Sequence, residues 1–233
     1  TNSRGINSIP VSEFFLSIIL FFSKKFSDCL KFKKNKKWTQ WEIAKKNETL
    51  ENKTLGIIGY GAIGKAIAKK VRAFNMNVIG IKRLQKKKEA KLYIDELLPI
   101  NKLDYLLSNS DYIVISCPLT PLTKELINKE KLNLISKNSY LINISRGKII
   151  DEKKLIIQLK NKLIKGAALD VFHNEPLNSK SELFNLENVF LSPHISGNYK
   201  EYQNKVIDVF SNNLIKFITN KTLKNRICKK RLY

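Results

Sequence analysis

A glycine turn between an apolar segment and an amphipathic one is the feature that most restricts the fold. The turn has the spacing Gly59-x-Gly61-x-x-Gly64; residues 55–58 before it are apolar, and residues 62–74 after it have helical periodicity. In a βαβ unit the first glycine makes the tight turn, the second lets a pyrophosphate approach the backbone, and the third lets helix and strand pack closely. The turn alone is a weak signal, but this context favours a dinucleotide site over a purely structural turn.

Apolar segments alternate with helical segments along the rest of the chain. Further strands are predicted at residues 77–81, 112–116, 140–144, 165–171 and 189–191, and further helices at residues 97–107, 151–162 and 200–219. Such alternation predicts an α/β fold with a doubly wound, Rossmann-like parallel sheet.

The charge and the cysteines limit the kind of partner to expect. The chain has 43 Lys+Arg against 20 Asp+Glu, a net charge of +23 that would attract polyanions. Because the lysines are scattered through every segment, we interpret the charge as solvated surface and do not expect nucleic acid as a partner. Cys29, Cys117 and Cys228 match no metal-ligand spacing and there are two histidines, so we expect reduced thiols, no metal and a cytoplasmic protein.

The N-terminal region combines an apolar helix with a basic arm. Apolar residues recur at helical spacing from Val11 to Phe26, in a run too short to cross a bilayer, which predicts a buried or interface helix. The lysine-rich stretch of roughly residues 31–52 carries Trp38 and Trp41. These tryptophans could pack on a partner subunit, making residues 10–52 a dimerisation arm, or fold back onto their own domain; the sequence leaves both open.

The end of the second predicted strand bears on which dinucleotide binds. An acid there would accept the ribose 2′-hydroxyl and repel a 2′-phosphate. This chain instead has Lys82 and Arg83, then three lysines at 86–88, with no acid before Glu89. Since arginine can grip a phosphate with two hydrogen bonds, we predict NADP(H), with NAD(H) as the alternative and an ordinary basic loop as the interpretation without function.

Three charged or titratable residues follow in the second half of the chain: Arg146, Glu175 and His194. Together they offer a cation for a carboxylate, an anion to hold a proton donor in its charged form, and the donor itself. Each alone is better explained as a surface ion pair, a turn glutamate or a loop cap. The ordered set, after a nucleotide turn, predicts hydride-transfer chemistry.

Several segments resemble those of one protein family, the D-isomer-specific 2-hydroxyacid dehydrogenases. The segments that carry the resemblance, in chain order, are residues 7–13, 117–123, 143–152, 168–176 and 193–197. The resemblance implies that His194 protonates the carbonyl oxygen of a small 2-oxo acid, that Glu175 holds its imidazole, and that Arg146 binds the substrate carboxylate. The product would be a D-2-hydroxy acid, as for a glyoxylate or hydroxypyruvate reductase. The resemblance also implies cofactor contacts from Ala62, Ile63, Cys117, Pro118, Thr123, Ile144, Ser145, Asp170 and Gly197.

The resemblance also implies how the chain is divided. Residues 1–199 would form the NAD(P)-binding domain, and residues 200–233 a helix and tail of a substrate-binding domain whose larger part, roughly 100 residues, would precede this chain. Without that lobe we expect the cofactor site to persist, catalysis to be impaired and the last helix to expose an apolar face. A homodimer is also expected, because the resemblance implies the oligomeric state that is usual in the family. The alternative is a truncated, non-catalytic nucleotide-binding or interaction module that resembles a co-regulator.

Overall fold

A seven-stranded parallel sheet organises the computed structural model, which describes residues 1–83 and 93–228. The strands lie in the order β3-β2-β1-β4-β5-β6-β7. Their bounds are Thr54–Ile58 (β1), Asn77–Ile81 (β2), Glu96–Leu98 (β3), Tyr112–Ile115 (β4), Tyr140–Asn143 (β5), Gly166–Leu169 (β6) and Val189–Leu191 (β7). Every pairing is parallel, so the predicted doubly wound sheet is confirmed.

Eight α-helices connect and flank the strands in the described part of the chain. Their bounds are Ser8–Ser23 (α1), Phe26–Asn35 (α2), Gln40–Ala44 (α3), Ala62–Val71 (α4), Leu103–Ser108 (α5), Lys129–Leu132 (α6), Glu152–Lys160 (α7) and Tyr202–Ile218 (α8). Among the described residues, none of these helices combines the length and the apolar character needed to cross a bilayer.

The central strands are buried on both faces, which explains their continuous apolar sequences. Successive residues point to opposite sides, so Ile57 belongs to the cluster that contains α1 and α4, whereas Ile58 belongs to the cluster that contains α5, α6 and α7. Residues of β4 divide in the same way, with Val114 on the first side and Ile115 on the second. The sheet is therefore sandwiched between two helical layers.

Helix α1 is a buried helix of the first layer, as its apolar spacing predicts. Phe15, Ile18 and Ile19 are at most 2% exposed, and the helix packs along α4, the helix that follows the glycine turn. The N-terminal helix therefore supports the glycine turn through its packing on α4.

The basic arm that follows is helical but projects its tryptophans outward. Trp38 is 75% exposed and Trp41 is 69% exposed, and the recorded ring contact of Trp38 is with Phe32 of the same arm. In this single chain the tryptophans therefore do not fold back onto the domain. The arm rejoins the sheet at Glu48, whose carboxylate forms an ion pair with Lys165.

One element departs from expectation, and the last helix agrees with it. Residues 97–107 do not form one helix: Leu97 and Leu98 belong to β3, which pairs with β2, and α5 begins only at Leu103. The last helix, α8, matches its predicted bounds closely and exposes the apolar face that was expected. Its exposed apolar residues are Ile207, Phe210, Leu214, Ile215, Phe217 and Ile218.

Candidate active site

A cavity of about 340 Å³ opens at the carboxyl ends of β1, β2 and β4. The chain reverses direction across the sheet between β1 and β4, and ligands of open α/β sheets bind at such a switch point. The lining residues are Ile58, Gly59, Tyr60, Gly61, Ile81, Lys82, Arg83, Ile100, Ser116, Cys117, Pro118, Thr120, Leu122, Thr123 and Leu126.

The three glycines of the turn have different surroundings. Gly59 has a φ of +104°, and a Cβ there would lie 2.6 Å from the backbone nitrogen of Cys117. A Cβ on Gly64 would lie 2.7 Å from the carbonyl oxygen of Gly59. A Cβ on Gly61 would meet no atom within 4 Å, so the protein itself does not require a glycine there. The open space at Gly61, next to the first turn of α4, fits the close approach of a pyrophosphate.

The residues expected to contact the cofactor's sugar and phosphates lie around this cavity. Lys82 and Arg83 line it at the end of β2. Ala62 and Ile63 form the first turn of α4, where backbone N–H groups are available to an anion. The further basic residues Lys86, Lys87 and Lys88, and Glu89, lie outside the described residues.

The loop after β4 closes one side of the cavity. Cys117, Pro118 and Thr123 all line it, and the Thr123 hydroxyl accepts the N–H of Thr120 at 2.7 Å while donating to the carbonyl of Pro118 at 2.7 Å. Ser145 donates its hydroxyl to the carbonyl of Cys117, which joins this loop to the segment after β5. Burial raises the pKa of the Cys117 thiol to about 12, which favours the neutral thiol over the thiolate.

Arg146 stands on a short segment directly after β5. The buried side chain of Asn143 donates to the carbonyl of Arg146 at 3.0 Å and accepts the N–H of Ser145 at 3.1 Å, which fixes the turn. The Arg146 side chain is exposed, and its guanidinium donates to the carbonyl of Ser145 at 2.6 Å. Ile144, two residues before Arg146, is buried and belongs to the apolar cluster that contains α1 and α4.

Glu175 and His194 are brought together from two different loops. Glu175 Oε2 lies 2.7 Å from His194 Nδ1, and its Oε1 accepts the N–H of Phe172 at 3.0 Å. Burial opposes ionisation of Glu175, but the His194 and Phe172 hydrogen bonds and the charges of His194 and Arg146 outweigh it, so the pKa of this carboxyl lies below its usual range. Since Nδ1 faces Glu175, Nε2 is the imidazole nitrogen that can face a substrate.

Asp170 anchors the loop that carries His194. Its buried carboxylate accepts the hydroxyl of Ser192 at 2.6 Å and the N–H groups of Ile195 and Ser196, each at 2.9 Å. These bonds hold the backbone of His194 in the left-handed region, with a φ of +54°. Residues other than glycine rarely adopt this conformation. Asp170 does not line the cavity at the glycine turn, nor a second cavity that lies beside His194. Its carboxylate is bound instead to the loop that carries His194.

Gly197 lies where the histidine loop meets the N-terminal segment. A Cβ on Gly197 would come within 3.1 Å of Asn7 Nδ2. The second cavity, of about 730 Å³, lies beside Glu175 and His194. It is lined by Phe172, Glu175, Pro176, Leu177, Phe184, Leu191, Ser192, Pro193 and His194.

Sequence reasoning missed several residues of the site. Tyr60, Ile100 and Ser116 line the first cavity, and Ser116 donates to the carbonyl of Gly59 at 2.9 Å. The position of Tyr60 inside the glycine motif was a usable signal, whereas Ile100 reaches the cavity only through the fold. Asn143 begins one of the segments that carry the family resemblance, but its function as a loop anchor depends on contacts that the sequence does not reveal.

A glycine turn at the switch point of a parallel sheet is typical of a Rossmann-type dinucleotide-binding domain. The sequence profile of the D-isomer-specific 2-hydroxyacid dehydrogenase NAD-binding domain matches residues 16–196. The chain therefore belongs to the D-isomer-specific 2-hydroxyacid dehydrogenase family, and the resemblance found in the sequence is confirmed.

Individual relatives agree with this family membership. A glyoxylate reductase of Pyrococcus furiosus is 41% identical over 168 residues, which cover 72% of this chain and 49% of the relative. Glyoxylate/hydroxypyruvate reductase A of Arabidopsis thaliana is 34% identical over 223 residues, covering 96% of this chain and 69% of the relative. A D-isomer-specific 2-hydroxyacid dehydrogenase of Xanthobacter autotrophicus, solved with NADPH and MES, superposes with a TM-score of 0.85 at 26% identity, covering 97% of this chain and 90% of that one. The chain thus spans about half the length of the Pyrococcus relative.

Proposed function

We propose that the protein is the nucleotide-binding part of a reductase that converts a small 2-oxo acid to a D-2-hydroxy acid with NADP(H). The observation that carries the proposal is the 2.7 Å contact between Glu175 and His194, within the electrostatic influence of Arg146 and on a dinucleotide-binding fold. Relatives named glyoxylate reductase and glyoxylate/hydroxypyruvate reductase support this substrate class.

The three side chains divide the work on the substrate. Bound nicotinamide cofactor supplies the hydride for the carbonyl carbon. Arg146 binds the substrate carboxylate with its guanidinium and stabilises the negative charge that develops on the carbonyl oxygen. His194 donates a proton from Nε2 to that oxygen, and Glu175 holds the imidazole through Nδ1 and favours its charged form before the transfer.

The choice of cofactor follows from the cavity's basic end. Lys82 and Arg83 line the cavity where the adenosine ribose of a dinucleotide would lie after β2, and a 2′-phosphate there would meet two cations. The NADPH complex of the Xanthobacter relative supports NADP(H) within this fold. NAD(H) is the alternative.

The direct test is oxidation of NADPH and NADH against a panel of glyoxylate, hydroxypyruvate, pyruvate and branched 2-oxo acids. Both this chain and a chimaera are assayed, the chimaera adding the part of the Pyrococcus furiosus reductase with which this chain does not align. We expect turnover that falls about 100-fold or more in His194→Ala, since general acid catalysis contributes about 10²–10⁴-fold. Absence of turnover in both proteins, or full activity of the variant, would contradict the proposal.

We also propose that the chain works as a homodimer. The support is the arm with Trp38 and Trp41, whose large apolar side chains are 75% and 69% exposed. Sedimentation at micromolar concentration should give a dimer, and Trp38→Ser with Trp41→Ser should give a monomer of unchanged helix content. A wild-type monomer would overturn this part.

Two further assignments belong to the same proposal. Free thiols at Cys29, Cys117 and Cys228 are consistent with a reducing, cytoplasmic location. Residues 1–199 are proposed as the NAD(P)-binding domain, and residues 200–233 as a helix and tail of a substrate-binding domain, since α8 exposes an apolar face. The alternative of a non-catalytic interaction module is not favoured, because Arg146, Glu175 and His194 are all present and the relatives are named as reductases.

A further inference from the structure

The peptide bond between Phe172 and His173 lies where the segment that carries Arg146 meets the segment that carries Glu175. A Cβ on Gly147 would come within 1.9 Å of the carbonyl carbon of Phe172 and 2.4 Å of the nitrogen of His173. The residue directly after Arg146 therefore packs against this peptide so closely that only a hydrogen atom fits. Any rotation of the peptide would shift the two segments relative to one another.

A carboxylate outside the proposed catalytic set binds the same peptide. Glu152, the first residue of α7, accepts the N–H of His173 on its Oε2 at 2.8 Å. The capping of α7 does not need this carboxylate, because Asp151 is the N-cap and accepts the N–H of Lys154 at 3.1 Å. The Glu152 carboxylate therefore binds the loop that carries Glu175 and does not cap its own helix.

Two neighbouring N–H groups in that loop are held by two different carboxylates. The N–H of Phe172 binds Oε1 of Glu175, and the N–H of His173 binds Glu152. The first bond shapes the turn that ends at Glu175, and the second fixes the orientation of that turn on the rest of the domain. Glu175 then reaches His194 with its other oxygen.

We propose that Glu152 is a positioning residue: through the His173 N–H it holds the turn that presents Glu175 to His194. Its effect on catalysis rests on the proposed reductase function, but its effect on Glu175 does not.

The test separates the reach of the side chain from its charge. Glu152→Asp keeps the charge at the start of α7 but withdraws the carboxylate by about 1.5 Å, the length of one C–C bond. Glu152→Gln keeps the reach and an oxygen that accepts a hydrogen bond, but removes the charge. Glu130→Asp, an exposed acid in the first turn of α6, is the matched control.

Three readouts are taken on each variant: hydrogen exchange of the His173 amide, the pKa of the Glu175 carboxyl by carbon-13 NMR, and kcat/KM for a 2-oxo acid. In Glu152→Asp we expect faster exchange at His173, a Glu175 pKa that moves up towards its ordinary value, and a loss of about tenfold in kcat/KM, within the roughly 100-fold that a 1 Å displacement can cost. Glu152→Gln and Glu130→Asp should retain most of the wild-type behaviour.

A purely structural function would give a different pattern. If Glu152→Asp lowers the melting temperature but leaves the Glu175 pKa and the His173 exchange unchanged, Glu152 does not position Glu175. The same conclusion follows if Glu152→Gln alters both NMR readouts while Glu152→Asp leaves them unchanged, since the charge would then matter and the reach of the side chain would not. If the wild-type chain and its chimaera reduce no 2-oxo acid, the proposed function fails, while the two NMR readouts still decide this inference.

Discussion

The glycine turn and the loops that carry the proposed catalytic residues lie at the same edge of the sheet but are held in place by different means. At the turn, backbone atoms lie so close that Gly59 and Gly64 leave no room for a Cβ. In the loops, the side chains of Glu175 and His194 remain 36% and 47% exposed, and polar anchors fix the backbone beneath them. The turn is therefore held by close packing at Gly59 and Gly64, whereas the geometry of the proposed catalytic pair depends on a few hydrogen bonds.

This difference determines how each region should fail. Core packing lost at the turn reduces stability and cofactor binding together. An anchor lost in a loop displaces one of the proposed catalytic side chains, and it reduces stability only as far as buried polar groups lose their partners. Asp170 is the anchor for which both effects should be large, because it is buried and accepts three hydrogen bonds.

The largest effect is expected from Asp170→Ala. The substitution leaves the Ser192 hydroxyl and the N–H groups of Ile195 and Ser196 without their acceptor, and each orphaned buried group costs about 1–3 kcal/mol. We expect the free energy of unfolding to fall by about 3 kcal/mol or more, with loss of the Glu175–His194 contact. Urea denaturation measures the first effect, with Asp208→Ala on exposed α8 as the control. A loss below 1 kcal/mol would show that the loop holds its shape without Asp170.

The next effect separates packing from ligand space within the turn itself. In Gly64→Ala the new Cβ meets the Gly59 carbonyl, and such overpacking costs about 1–3 kcal/mol of stability. In Gly61→Ala nothing lies within 4 Å, so stability should change by less than about 0.5 kcal/mol. Gly61→Ala should nevertheless weaken NADPH binding by about tenfold, or 1.4 kcal/mol, since the methyl group occupies the space left for the pyrophosphate. Calorimetric titration and thermal melting of both variants test the pair; normal NADPH affinity in Gly61→Ala would remove the functional reason for that glycine.

The sequence predicted the body of the sheet well because burial on both faces gives each central strand a continuous apolar run. It predicted the beginning of the helix at residues 97–107 wrongly, since Leu97 and Leu98 are held as an edge strand by pairing with β2, whereas residues 103–107 are helical as predicted. Pro99 was an overlooked signal, because the residue before a proline disfavours the helical region. The use of Asp170 as an anchor was not predictable either, because its partners lie 22 to 26 residues further along the chain.

A smaller effect is expected at the basic end of the cavity. Arg83→Ala removes a guanidinium that lines the cavity after β2, and a hydrogen bond to a charged group is worth about 1.5–3 kcal/mol. We expect NADPH to bind about tenfold more weakly, with NADH affected less than twofold. Titration with both cofactors measures the ratio. An equal loss of affinity for both cofactors would show that Arg83 contacts a part of the dinucleotide that the two share. That result would favour NAD(H) over NADP(H) as the cofactor.

The smallest effect concerns the acid dependence of the Glu175–His194 pair. Hydrogen bonds and nearby positive charge depress the pKa of Glu175 in the folded state, so its contribution to stability is present above its unfolded pKa of about 4.5 and is lost as the pH falls through the lower folded value. Because the side chain is 36% exposed, solvent screening limits this contribution to less than about 1 kcal/mol. The difference in unfolding free energy between wild type and Glu175→Gln should therefore be greatest near neutral pH and shrink below pH 4.5. His194→Ala should reproduce most of that pattern, since its imidazole supplies the bond that depresses the pKa. A difference that stays constant from pH 7 to pH 3 would mean that Glu175 acts through shape alone, and the loops would then resemble the packed turn more than their exposure indicates.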